Sequence, residues 1–157
     1  MSKLVKMLGW MLLGVAGAAA AADISTPLPG TLTVKTRHGF DALASRVEKA
    51  ISDHKMGLVA QASASRGAAA RGVKIPGNVV LMVFRNDYAV RMLSASVPAG
   101  IEAPLRIYVT ENPDGTASLT YRTPSAVFAP YASPALGEMA KELDAVFENI
   151  VRDAASR

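Results

Sequence analysis

Six apolar residues in a row, Val79-Val80-Leu81-Met82-Val83-Phe84, bear most heavily on what this chain can fold into. The run reads as a strand with both faces apolar, and such a strand needs cover on both sides. The flanking segments alternate between two periodicities. Thr31–Arg37 sets Leu32 and Val34 against Thr31, Thr33, Lys35 and Arg37, the pattern of a half-buried strand. Phe40, Leu43, Ala44, Val47, Ala50 and Ile51 recur at helical spacing, so Gly39 to about His54 reads as an amphipathic helix. Met56–Ser63 reads as a second strand, and the small residues of Ala64–Gly72 allow one or two helical turns. Asn86 is placed to cap a short helix through Leu93, with Asp87 in its first turn. Leu105, Ile107 and Val109 alternate with Arg106, Tyr108 and Thr110; Asn112-Pro113-Asp114-Gly115 turns the chain, and Ala117–Arg122 returns. Ser133-Pro134 opens a long terminal helix whose apolar stripe is Leu136, Met139, Ala140, Leu143, Val146, Phe147 and Ile150.

The expected fold is therefore α/β: a single two-layer domain over residues 31–153, with about five strands in a mixed sheet and helices mainly on one face. Its order is β-α-β-(α)-β-α-β-β-α. The two long helices each carry one apolar stripe and cover one face. The other face is expected to show Lys35, Arg37, Arg106, Tyr108, Thr120 and Arg122 around an apolar centre from residues 79–84. Either Val80, Met82 and Phe84 or Val79, Leu81 and Val83 supply that centre. An apolar centre with a polar rim suits an interface, and a homodimer through this face is the expectation. The competing arrangement folds the segment 94–103 or 124–133 across the face.

The N-terminus carries Lys3 and Lys6, then an uncharged run, Met7–Ala20, then Ala20-Ala21-Ala22 before Asp23. A basic start, a short apolar stretch and an A-x-A site describe a secretory signal peptide over residues 1–22, cut after Ala22. The stretch is shorter than the ~20 residues of a membrane span. Residues 23–30 (DISTPLPG) form an extended lead-in. The expected location is the periplasm of a bacterium, with no membrane attachment after cleavage. Without cysteine, stability there rests on the packed core, and there is neither a thiolate metal site nor a haem attached through Cys-x-x-Cys-His. Beyond the leader, fifteen basic residues face thirteen acidic ones, a balance that excludes a strongly basic nucleic-acid binder.

Three pieces of the central segment are familiar: Phe84-Arg85-Asn86-Asp87, Gly100-Ile101-Glu102-Ala103-Pro104-Leu105-Arg106 and Tyr121-Arg122-Thr123-Pro124. With Gly39-Phe40-Asp41 at the first helix, they resemble the bacterial family called domain of unknown function 302, over roughly residues 31–150. The resemblance implies a compact two-layer α/β domain that can pair as a dimer, and no established reaction. The chain departs from the pattern twice. Arg85-Asn86-Asp87 stands where the family has Gly-Asn-Pro, and Ser63–Gly67 lacks the Asp-His pair of many members. A metal or haem role resting on that histidine does not carry over.

The candidate ligand-binding residues are Arg85, Asn86, Asp87, Tyr88, Arg91, Glu102, Arg106 and Tyr121. The first backbone N–H groups of a helix attract anions, and arginines nearby add charge. Glu102 with Arg106 and Tyr121 would make a polar pocket. The leading reading is a non-enzymatic exported module without cofactor, binding a small or anionic ligand or a periplasmic partner protein. Its rivals are an enzyme with a Glu102 or Asp87 and tyrosine acid–base site, and a metal or haem carrier. The carrier would need His54 and Met56 to converge with His38, Met82, Met92 or Met139.

Overall fold

The computed structural model describes residues 27–156, so the expected leader, its expected cleavage after Ala22 and the start of the lead-in lie outside the described residues. Five strands form one sheet: β1 (Thr31–Lys35), β2 (Gly57–Ala62), β3 (Asn78–Phe84), β4 (Leu105–Glu111) and β5 (Ala117–Arg122). Five α-helices accompany them: α1 (Phe40–Asp53), α2 (Ala64–Ala69), α3 (Asn86–Ala95), α4 (Pro124–Phe128) and α5 (Pro134–Ala155). Two 3-10 turns, Val97–Glu102 and Ala129–Tyr131, complete the chain. The element order follows the sequence reading, with α4 added directly after Pro124.

The strand order is β1-β5-β4-β3-β2, and all four ladders are antiparallel where a mixed sheet was expected. The reason lies in the connections. α1 carries the chain from one edge strand, β1, to the opposite edge, β2, so the strands it joins run the same way without touching. Each later strand then steps back by one place until β5 closes against β1. The short turn between Glu111 and Ala117 imposes antiparallel pairing on β4 and β5, while α2 and α3 each return the chain to the neighbouring strand from the end it left.

Parity in the central strand is resolved. Val79, Leu81 and Val83 are buried, together with Ile107, Val109, Leu119 and Tyr121 from their neighbours. They join α1 residues Leu43, Val47 and Ile51 and α5 residues Leu136, Met139, Leu143, Phe147 and Ile150 in one apolar core. Val80, Met82 and Phe84 therefore point to the other face, where they are only half-buried. Neither expected cover crosses that face: 124–133 sends Val127 and Phe128 into the core and packs α4 on α5, while the turn at 97–102 packs on α3.

Local chemistry sets the helix ends. Ser133 Oγ accepts from the Leu136 N–H at the start of α5, as the Ser-Pro pair implies. Ser63 and Thr123 do the same for α2 and α4. At α3 the cap position belongs to Arg85, with no side-chain cap, and Asn86 is the first helical residue. β3 continues to Phe84, so the turn into α3 falls one residue earlier than a capping Asn86 requires. The described end of the lead-in is a turn in which Thr31 N–H donates to Leu28 O. Gly30 holds φ at 74°, and a Cβ there would collide with Ala126, so only glycine lets this turn press against α4.

Candidate functional site

The eight candidate residues separate into three places. Arg85, Asp87, Tyr88 and Arg91 do gather at the start of α3. Arg85 donates to Asp87 through Nε (2.7 Å) and Nη2 (2.9 Å) and lies 4.3 Å from the Tyr88 ring centroid. Arg91 approaches the same ring at 5.6 Å and donates both Nη groups to Glu142 on α5, at 2.7 and 2.8 Å. Hydrogen bonding to Arg85 holds the Asp87 carboxyl below its usual range, and Arg91 does the same to Glu142. Both guanidiniums thus already have carboxylates, and the cluster works as a strut between α3 and α5. Beneath it Met56, Met92, Met139, Leu143 and Phe128 line an apolar cavity of about 30 Å³. That volume holds a water rather than an organic ligand.

Glu102 accepts from Tyr131 OH at 3.0 Å, in the loop that enters β4 through the cis Ala103-Pro104 peptide. Burial, then the bond to Glu102, pushes the Tyr131 hydroxyl above its ordinary range. Tyr121 lies in the core against Phe147, with ring centroids 6.0 Å apart. Burial, reinforced by Glu148 and Asp144, raises its phenol as well. Arg106 and Tyr121 line one hollow at the end of the sheet, and Glu102 does not reach it, so the three do not form a single pocket. The metal-carrier set is similarly scattered. His54 bonds Asp153 at 2.7 Å, His38 bonds Ser156 O at 2.8 Å, Met56, Met92 and Met139 line the small cavity, and Met82 faces outward. Among the described residues no cluster of three or more His, Cys, Asp or Glu could hold a metal ion. The carboxylates whose pKa departs from the ordinary value, Asp87, Asp114, Glu142 and Asp153, are all lowered.

The remaining candidate, Arg106, lies on the uncovered face of the sheet. The β4–β5 register pairs Ile107 with Tyr121, so one step further Arg106 stands beside Arg122. Arg122 is flanked on its other side by Thr31, and Arg106 by Met82. The two arginines line an open hollow of about 320 Å³ with Thr31, Thr120 and Tyr108, over a floor that includes Leu28, Leu105, Tyr121 and Val127. Arg122 Nη2 donates to Ala126 O, within α4, at 3.2 Å. Its Nε is buried and meets no acceptor among the described residues, and Arg106 makes no ion pair among them. Lys35 lies on the same face, two rows away, opposite Ser118.

No strand position on this face carries a carboxylate. Like charges placed directly opposite each other weaken a strand pair, so the arrangement costs stability. Two guanidiniums with hydroxyls beside them make charge-assisted bonds to a carboxylate or phosphate. Arg122 was not among the candidates. Its signal was present in the alternation Thr120-Tyr121-Arg122, but only the pairing of β4 with β5 sets it next to Arg106.

The chain is similar in structure to an uncharacterized conserved DUF302 protein from Bacillus stearothermophilus, known from a crystal structure. The TM-score is 0.72 at 21% identity, over 82% of this chain and 99% of that one. This likeness establishes the shared fold. No curated protein matches the chain. The sequence model described as "Domain of unknown function DUF302" matches residues 32–154, nearly the whole described domain, and the chain accordingly belongs to that family.

Proposed function

We propose that the protein is an exported, non-enzymatic binding module that seats a small anion between Arg106 and Arg122 on the uncovered face of its sheet. The observation that carries this reading is the side-by-side pair of guanidiniums in an open hollow, on a face whose strands bear no carboxylate. At the start of α3, by contrast, each arginine is already matched by an acid. Export is supported by Lys3, Lys6, the apolar run and Ala20-Ala21-Ala22. Two measurements test the reading. Protein recovered from the periplasm of a cell expressing the full chain should begin at Asp23. Its Arg106 and Arg122 Nε–H resonances should shift on titration with inorganic phosphate or acetate, and Arg106→Met should abolish the shift of Arg122. Unmoved resonances up to high anion concentration would overturn the binding reading, whatever the outcome for export.

A homodimer through the same face is a second reading, favoured by the apolar half formed by Val80, Met82 and Phe84. Sedimentation equilibrium tests it directly: a monomer at high concentration removes it.

A further inference from the structure

We infer that the anion taken by the Arg106–Arg122 pair is the head of a single-chain amphiphile, an alkyl carboxylate of medium length whose tail lies across β3 toward β2. This deepens the proposed function and rests on it. The uncovered face is divided by chemistry along a direction perpendicular to its strands. The β1–β5–β4 side carries all the charge, with Arg106, Arg122, Thr31 and Thr120 over a floor of Leu28, Leu105, Tyr121 and Val127. The β3–β2 side offers Val80, Met82, Phe84, Ala60 and Ala62, with no charge. The register puts both halves in one row, running Arg122, Arg106, Met82, Ala60 from β5 to β2. Leaving the guanidiniums along that row, a ligand meets a flexible thioether and then an alanine too small to block it.

Tyr108, 39% exposed, stands beside this path and links the cationic hollow to a second hollow lined by Ala62, Ala64, Asn78 and Val80. Neighbouring strands lie about 4.8 Å apart, so the path from β4 to β2 is roughly 10 Å, the reach of about eight carbons.

The charge pattern selects this occupant over others. A second copy brings the cations Lys35, Arg106 and Arg122 to a face with no strand carboxylate to receive them. A peptide lays backbone amides over the apolar half, where the ladder groups of β3 are already paired to β2 and β4 and the side chains offer no donor or acceptor. An alkyl carboxylate supplies one negative charge where the cations are and only hydrocarbon where they are not.

The test is a chain-length series on the exported protein, with sub-micellar acetate, butyrate, octanoate and decanoate, and octylammonium as the charge-reversed control. NMR titration reads binding, and a thermal melt confirms that each variant is folded. Octanoate should bind at least tenfold more tightly than butyrate, since each methylene that leaves water adds up to ~0.8 kcal/mol. Octylammonium should not bind. Met82→Ser should reduce octanoate to the affinity of acetate, with Val80→Ser as a second variant, while Arg106→Met should remove both. Acetate binding with no gain along the series would overturn the amphiphile and leave the anion site standing. Equal binding of octylammonium and octanoate would overturn it too, and failure of every anion would remove both readings.

Discussion

Leu81 and Met82 are adjacent in β3, yet one is wholly buried beneath α1 and α5 and the other faces the open side of the sheet. The same division runs through β4 and β5. Ile107, Val109 and Leu119 lie in the core, while Arg106, Tyr108 and Thr120 line the outer surface. Alternation lets one set of strands serve two purposes, because successive side chains leave on opposite faces. The covered face carries the stability of the fold. On the open face, Arg106 and Arg122 stand side by side against the interest of stability.

The widest separation between the two faces should appear in paired truncations. Leu81→Ala leaves a hole in a fully packed layer and should cost about 2–5 kcal/mol. Met82→Ala, one residue away, should change stability by no more than about 0.5 kcal/mol. Denaturant melts of the two variants check this. Equal losses would mean that the outer face is covered in solution, by a second copy or by another part of the chain. Phe147→Ala, beneath Tyr121, belongs with Leu81→Ala, at about 3–5 kcal/mol.

Ser133→Ala should come next. The hydroxyl caps α5, the longest element of the covering layer, and its loss should cost about 1 kcal/mol. Titration of this variant with acetate should reproduce the parent affinity, because α5 and the Arg106–Arg122 hollow lie on opposite sides of the sheet. A joint loss of stability and affinity would couple the two faces.

Much of the covered layer was legible in the sequence because its signals are local. β5 has the bounds that alternation assigns, Ala117–Arg122, and α5 begins at the Ser133-Pro134 pair. What was not legible depends on partners distant in the chain. Residues 79–84 are apolar at every position, so no pattern within them could say which parity faces the helices. Tyr121 is expected beside Arg106 and Glu102; strand pairing sets it against Phe147 and at the floor of the Arg106 hollow, away from Glu102. The antiparallel order follows from α1 joining the two edges, a long-range choice without local signature. For the same reason the candidate residues around α3 were found together and the Arg106–Arg122 pair was not. The first set lies within a few residues of sequence; the second exists only through the β4–β5 register.

The open face yields a prediction of opposite sign. Arg106→Thr removes one of two like charges facing each other across β4 and β5, and supplies a β-branched residue suited to a strand. The ligand-free variant should melt higher than the parent, by a few tenths of a kcal/mol in stability. Saturating acetate or phosphate should raise the melting temperature of the parent by mass action and leave the variant unmoved. A variant less stable than the parent would show that Arg106 has a structural partner, and the case for a vacant cation pair would go with it.

The smallest effect concerns acid, and it separates the layers in another way. The carboxylates held low by a cation or imidazole all sit in the helices: Asp87 beside Arg85, Glu142 beside Arg91 and Asp153 beside His54. A carboxyl whose pKa is lower in the folded chain than in the unfolded one adds stability above the unfolded value, near pH 4. That contribution is lost as pH falls through the folded value. Stability should therefore hold from pH 7 to about 5 and decline below 4. The decline should be shallow, because these pairs are exposed and solvent screens them. Glu142→Gln should shrink it, since the pair with Arg91 ties α3 to α5. The strands of the open face contribute no carboxylate to this titration, so a fully charged anion such as sulfate should still reach Arg106 and Arg122 at pH 4 with its pH 7 affinity. A decline already complete at pH 5, or loss of sulfate binding ahead of it, would place an acid-sensitive group on the face that the register describes as purely cationic.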